Sequence, residues 1–325
     1  MPRSPGRDKA PLLPSSAMAE RKRVLLLGGG GGVVGSGVLE ELLREYSVIS
    51  YHRTPLANES GRVTFVPGDL RQLPDRPELF RQLHAVVNVV WYREPGPDGR
   101  FAPVADALHR VLGRCVEEGV ERFVQISLPP GPPALEAKLP YFTRRRPFER
   151  TLLSSGLKVN LLQPSAVFAP RDRLIQVMLA LLRRHRYFPL FGSGEYHLAP
   201  IWHRDLGLLV AEALAGHLPP VTLAGGPDRM TYRELLGLLA RAVGREPHLV
   251  RVSPRMGRWA VQAFNAVGWH VLYTYEYDWL LSDTLGFPPP PDLPRPFLRL
   301  EEFLQGKGDA PATEGWEGRG ASPAS

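Results

Sequence analysis

Apolar and polar positions follow two rhythms along this chain. Short apolar runs recur at residues 24–27, 47–51, 63–66, 85–90, 123–126 and 159–162, each bounded by glycine or polar turn residues. Runs of this length and composition read as buried parallel strands. Between them, apolar residues three and four positions apart mark helices at 38–44, 104–118 and 141–155. Gly119 and Gly156 close the second and third of these helices as C-caps. Strands alternating with helices in this way predict an α/β protein with a doubly wound parallel sheet. Right-handed crossovers bring the C-terminal strand ends to one edge, where ligands bind near the reversal of strand order.

After Pro170 the rhythm changes. A helix is predicted over 174–184 and a turn at 191–194. A last strand of the same sheet follows at about 220–225. Thr231 then caps a helix over 232–243, with Glu234 three residues on as its capping-box partner. Prolines 288–291 break the chain before a short final helix. The expected organisation is a tail at 1–20, a nucleotide-binding domain at 21–170, a smaller and mostly helical substrate or partner region at 171–305, and a tail at 306–325. The composition of both tails predicts disorder, and Met18 is an alternative start. The longest apolar stretch, 259–277, is interrupted by Gln262, Asn265, His270 and Glu276. It falls short of the ~20 apolar residues of a transmembrane helix.

The run Gly28 to Gly32 follows the first strand and opens the first helix. Glycine suits that place because a side chain would block both the tight turn and a bound pyrophosphate. The helix N-terminus then offers N–H groups and partial positive charge to the phosphates. Two registers fit: Gly30, Gly32 and Gly35 as G-x-G-x-x-G, or Gly29, Gly32 and Gly35 with the wider spacing. Val33 and Val34 lie between the last two glycines. This is the fingerprint of a Rossmann dinucleotide-binding unit. The second strand ends in Tyr51-His52-Arg53, without the acid that holds the ribose hydroxyls of NAD. Arg53 can pair with a 2′-phosphate, so the cofactor expected is NADP, with NAD as the alternative.

Composition narrows the picture further. A single cysteine, Cys115, excludes an intrachain disulfide framework and reads as a small buried hydrophobe. The formal charge is +7, concentrated in Arg144-Arg145-Arg146 and Arg183-Arg184-His185-Arg186. Such clusters are solvated helix faces or attract anionic ligands. No helix-turn-helix, zinc or RNP signature points to nucleic acid, and no metal site is expected.

On these motifs the chain, from about Arg23 to Leu304, resembles the extended and atypical short-chain dehydrogenases/reductases. Within them it looks most like the group of the Rossmann-fold accessory subunit of respiratory complex I. Gly68-Asp69-Leu70 matches the family's Gly-Asp-Leu, which implies that Asp69 meets adenine, with Leu70 beside it. The fourth strand, ending in Asn88-Val89-Val90, matches the strand beside the cofactor. Gln163-Pro164-Ser165 matches the family's Arg-Pro-Ser near the nicotinamide, with Gln163 replacing the arginine. His203-Arg204-Asp205 resembles the later Val-x-Asp element.

Ser127 matches the catalytic serine, and Tyr141 with Arg145 matches Tyr-x-x-x-Lys, followed by Glu149 at the family's spacing. Four residues on a helix place phenol and cation on one face. The resemblance implies that Tyr141 exchanges a proton with a substrate hydroxyl or carbonyl, that Ser127 bonds the same oxygen, and that Arg145 supplies the charge. Arginine for lysine keeps that charge but changes its shape and removes a proton relay.

Two functional classes follow. One is an NADP-linked oxidoreductase, or an epimerase or dehydratase using bound NAD(P) on a nucleotide-sugar or similar small molecule. The other is a cofactor-binding structural or sensing protein, of the complex I subunit or NmrA-like type, that docks on a membrane-bound complex. Either is expected in the cytoplasm, the second peripherally at a membrane complex.

Overall fold

The computed structural model describes residues 21–29, 32–53, 61–90, 101–170, 172–269 and 271–307. The side chains of residues 101, 102, 140 and 141 lie outside that description, as do both expected tails up to residue 20 and from residue 308. The first half runs β1 (Arg23–Leu27), α1 (Val33–Glu45), β2 (Ser47–His52), β3 (Val63–Pro67), β4 (Ala85–Asn88), α2 (Phe101–Glu117), β5 (Arg122–Ile126), α3 (Pro133–Glu136), α4 (Pro140–Leu153) and β6 (Lys158–Pro164). The second half runs β7 (Val167–Phe168), α5 (Arg173–Arg184), β8 (Tyr187–Phe191), β9 (His197–Leu198), β10 (Ile201–Trp202), α6 (His203–Ala215), β11 (Val221–Ala224), β12 (Met230–Thr231), α7 (Tyr232–Ala242), β13 (His248–Val252), α8 (Pro254–Ala266), α9 (Thr274–Leu280) and α10 (Leu300–Leu304).

Seven strands form one sheet in the order β11-β6-β5-β4-β1-β2-β3. Every neighbouring pair is parallel. The doubly wound parallel sheet read from the sequence is therefore present, and its strand order reverses between β1 and β4. Alternation along each strand feeds two cores. Leu25, Leu27, Val86 and Phe123 pack with Leu108 and Val111 of α2 and Phe148 and Leu152 of α4. Val24, Leu26, Val87 and Val124 pack on the other face with Val38 and Leu42 of α1 and Leu206, Leu209 and Val210 of α6. A third cluster joins α5, α7 and the C-terminal segments, with Leu179, Leu182, Leu236 and Leu239 at its centre.

Several elements differ from the sequence reading. Helix α1 starts at Val33 and not at residue 38, because glycines 35 and 37 lie inside it. Glycine is a poor helix former, yet here close packing requires it. A Cβ on Gly37 would lie 2.2 Å from the His203 carbonyl oxygen, and one on Gly207 would lie 2.4 Å from that of Gly37. The α1–α6 crossing is made through these two residues. Periodicity did not announce α6, since eight of its residues, Asp205 among them, are buried and no clean polar face remains. Strand β4 ends at Asn88 because the Asn88 Oδ1 accepts from the Val90 N–H at 2.9 Å and turns the chain. The apolar stretch 259–277 divides into α8 and α9 around Gly268, whose φ is +80°. The Thr231–Glu234 capping box is present as expected. Cys115 is buried, and burial pushes its thiol up to about 12. Among the described residues no helix is long and apolar enough to cross a membrane, and no His, Cys, Asp and Glu cluster could hold a metal ion.

Candidate functional site

The loop from β1 to α1 lies at the strand reversal. Gly28 has φ +88°, and a Cβ there would meet a Val90 methyl at 2.5 Å. Val89 flanks the same spot, with a methyl 3.3 Å from it. A Cβ on Gly29 would strike the Leu26 side chain at 2.3 Å. A Cβ on Gly35 would strike the Gly28 carbonyl oxygen at 2.5 Å and the Gly29 Cα at 2.9 Å. These three glycines let loop and helix close on each other. Gly30 lies outside the described residues.

Gly32 differs from them. It is the N-cap of the 13-residue α1, no side chain caps that end, and the first turn holds no acid. Among the described residues, a Cβ on Gly32 would meet nothing within 4 Å. The first N–H groups of the helix, on Val33 and Val34, have no side-chain cap, as an anion-binding helix terminus requires. The Ser50 Oγ is buried without a hydrogen-bond partner and lies 3.1 Å from the Cβ position of Gly29. Space, glycine and uncapped helix end together fit a pyrophosphate.

Beyond β2 the structure sorts the candidates. Tyr51 is buried; its hydroxyl donates to the Asp69 carbonyl at 2.9 Å and fills the place of a Gly68 side chain. Arg53 is exposed at the strand end. The Asp69 carboxylate caps the 3-10 turn Leu70–Asp75 by accepting from the Arg71 N–H at 2.9 Å. It also accepts from the Arg71 guanidinium at 2.8 and 3.0 Å. That pairing holds the Asp69 carboxyl below the usual aspartate range, and the charge of Arg53 adds to it. Leu70 is buried in the core with Leu73 and Leu79.

The other side of the edge is built from β5, β6 and α4. Asn88 donates to the Gln125 Oε1 at 2.8 Å, and Gln125 donates to the Ile126 carbonyl at 2.5 Å. Arg145 is buried and also donates to the Ile126 carbonyl. Its Nε donates to the Glu149 Oε1 at 3.0 Å, and the same oxygen accepts from the Ser127 hydroxyl. Arg146 donates to the Glu149 Oε2 and to the Glu136 Oε1, each at 2.8 Å. It also reaches the Leu128 and Pro129 carbonyls.

Ser127 and Arg145 are thus brought together, and their shared partner is Glu149. Tyr141 lies on α4 one turn before Arg145, but its side chain is outside the described residues. Pro164 ends β6. Ser165 turns to the C-terminal region: its hydroxyl donates to the Leu285 carbonyl at 2.7 Å and accepts from the Ala199 N–H at 3.1 Å. The sequence reading assigned no role to Glu149, Glu136 or the Asn88–Gln125 pair. It read Arg145 and Arg146 within a cluster that is solvated or attracts anionic ligands, whereas Arg145 is buried and Arg146 is paired with Glu136 and Glu149. For Glu149 the signal was present, since it stands four residues after Arg145 on a helix.

No protein-family model matches the chain, and no curated protein matches it in sequence. Solved structures do match it. A nucleoside-diphosphate-sugar epimerase from Staphylococcus aureus superposes with a TM-score of 0.69 at 15% identity, over 87% of this chain and 99% of that one. A UDP-N-acetylglucosamine 4-epimerase from Methanobrevibacter ruminantium, solved with UDP-N-acetylmuramic acid, gives 0.62 at 17% identity, over 72% and 86%. The enzyme WbmH from Bordetella bronchiseptica, solved with NAD+, gives 0.60 at 19% identity, over 72% and 86%. The chain has the Rossmann-type α/β fold that these solved structures share. They lend no support to a particular likeness to the complex I accessory subunit.

Proposed function

We propose that the chain binds a nicotinamide dinucleotide and is an oxidoreductase or epimerase/dehydratase-type enzyme acting on a hydroxyl or carbonyl substrate. The observation that carries this is the uncapped N-terminus of α1, bordered by open space at Gly32 and placed at the strand reversal. Gly29, Gly30, Gly32 and Gly35, with the N–H groups of Val33 and Val34, would hold the pyrophosphate. Arg53 would meet the adenine ribose and favour NADP over NAD. Asp69 and Leu70 would border the adenine, and Val89, Pro164 and Ser165 the nicotinamide half. The bound dinucleotide would supply hydride transfer. Tyr141 would move the proton to or from the substrate oxygen. Ser127, by giving its own proton to Glu149, leaves its lone pairs to accept from a substrate hydroxyl.

One observation favours a second reading. The charge of Arg145 is met by Glu149 inside the chain, so little of it reaches a phenol one turn away. A dinucleotide-binding structural or redox-sensing protein with slow or absent turnover fits that arrangement. The test has two parts. Calorimetry with NADPH and NADH should show binding, tighter for NADPH; no binding of either would end both readings. NADPH oxidation with carbonyl substrates should then be slow, lost in Tyr141→Phe and raised in Arg145→Lys. Normal cofactor binding with no turnover in any variant would leave the second reading standing.

A further inference from the structure

Helix α8 buries only Gly257 and Val261. Gly257 is a close contact, since a Cβ there would lie 2.3 Å from the Tyr277 hydroxyl and 2.8 Å from the Phe191 ring. The opposite face is apolar and in water. Met256, Trp259, Ala263 and Val267 recur at helical spacing on one stripe. Met256 is 62% exposed, Trp259 69% and Val267 78%. Phe264 and Trp269, stacked edge to face at 4.8 Å, extend the surface at the C-terminal end and are themselves exposed. No other stretch of the described chain gathers so many large exposed apolar side chains, and a contiguous patch of this kind marks an interaction site.

The charge around the stripe says what covers it. No aspartate or glutamate occurs from Pro247 to Tyr275, while Arg251, Arg255 and Arg258 do. Arg258 is paired with Asp278 at 3.0 Å. Arg251 and Arg255 are exposed, and no ion pair joins either to another described residue. Exposed tryptophans with basic neighbours are the composition of helices lying in the membrane interface. A second copy of this chain meeting it face to face would set arginines against arginines. We propose that α8 seats this protein on an anionic lipid surface, with Met256, Trp259 and Val267 in the boundary below the headgroups and Arg251 and Arg255 against the lipid phosphates. This inference does not depend on dinucleotide binding.

The test is flotation of the full chain with vesicles of phosphatidylcholine alone or with about 30% phosphatidylglycerol. The chain should float with the anionic vesicles and come off as salt rises towards about 0.5 M. The double variant Met256→Ser/Trp259→Ser should lower partitioning at least about tenfold. Arg251→Ser and Arg255→Ser should each lower it about fivefold on anionic vesicles only. All four side chains are exposed, so each variant should melt at the wild-type temperature, which separates lost docking from lost folding. Absence of flotation at low salt overturns the proposal, as does flotation that the variants leave unchanged. A concentration-dependent dimer dispersed by Trp259→Ser would overturn it in favour of a second copy.

Discussion

The two corners of the candidate site treat their polar groups in opposite ways. At the β1–α1 corner the helix end is uncapped, Gly32 borders open space and the buried Ser50 hydroxyl has no partner. At the β5–α4 corner Ser127, Arg145, Arg146, Glu136 and Glu149 bond to one another. Polar groups left open in a folded chain need water or a ligand to meet them. Polar groups closed on themselves hold the fold and have less to offer a substrate. The first corner is built to receive something, and the second is built first of all to hold α4 against the sheet.

The largest effect should come from opening the closed corner. Glu149→Leu removes the carboxylate partner of the buried Arg145 guanidinium, and breaking a buried ion pair in this way costs ~3–5 kcal/mol. Urea unfolding should show that loss, and Glu149→Gln, which keeps an acceptor, should lose less. A loss under ~1 kcal/mol for Glu149→Leu would mean that the network contributes little and that Arg145 is better solvated than its burial implies.

Next in size is the effect of filling the open corner. With NADPH at about a hundred times its dissociation constant, unfolding should become harder by ~2.7 kcal/mol. Gly32→Val should abolish that gain while lowering the stability of the unliganded protein by no more than ~1 kcal/mol, the scale of a helix-cap change. Gly35→Val should lose both, because its side chain meets the Gly28 carbonyl and the Gly29 Cα, and overpacking of this kind costs ~1–3 kcal/mol. If Gly32→Val keeps the ligand-induced gain, the open space is not the pyrophosphate site.

The open corner was legible in the sequence because its chemistry is backbone chemistry. A strand, a glycine run and a helix in succession fix where N–H groups point, whatever surrounds them. The closed corner was only half legible. Ser127, Tyr141 and Arg145 stood out by spacing, but whether Arg145 faces a ligand or a carboxylate depends on which side chain packs beside it. Glu149 decides that from the same helix, and Ile126 decides it from the sheet. The sheet itself was legible because its strands are buried on both faces and read as unbroken apolar runs. Helix α6 was not, since it is buried on too many sides to show a polar stripe. Nor was α8, whose exposed stripe imitates a buried one: periodicity reports that an apolar face exists, not that anything covers it.

A smaller effect tests the rim of the open corner. Arg53 is exposed and packs no core, so Arg53→Glu should leave stability within ~0.5 kcal/mol of wild type. Its effect should appear in the ratio of NADPH to NADH affinities, falling by about tenfold or more as repulsion replaces a charge-assisted bond. An unchanged ratio would mean that the 2′-phosphate, if bound, is held by other groups.

The smallest effect concerns Asp69, which stands between the two kinds of corner. In the proposed reading it borders the adenine, yet Arg71 already holds its carboxylate at two points. This bond keeps the carboxyl below the usual range in the folded chain. A carboxyl depressed on folding contributes stability that is fully present above its unfolded value of ~3.9. That contribution is lost as pH falls through the lower folded value, because there the unfolded chain binds more protons. Wild type and Arg71→Ala should therefore differ most at pH 5 and above, and the gap should close below about pH 4. Arg71 is 62% exposed, so the gap should be small and should shrink further in salt. Freed of Arg71, the Asp69 carboxylate is left for the ligand, so Arg71→Ala should tighten dinucleotide binding if Asp69 serves the adenine. If stability falls and binding does not tighten, Asp69 belongs with the closed corner, and its place in the cradle is that of a cap on the turn at Leu70.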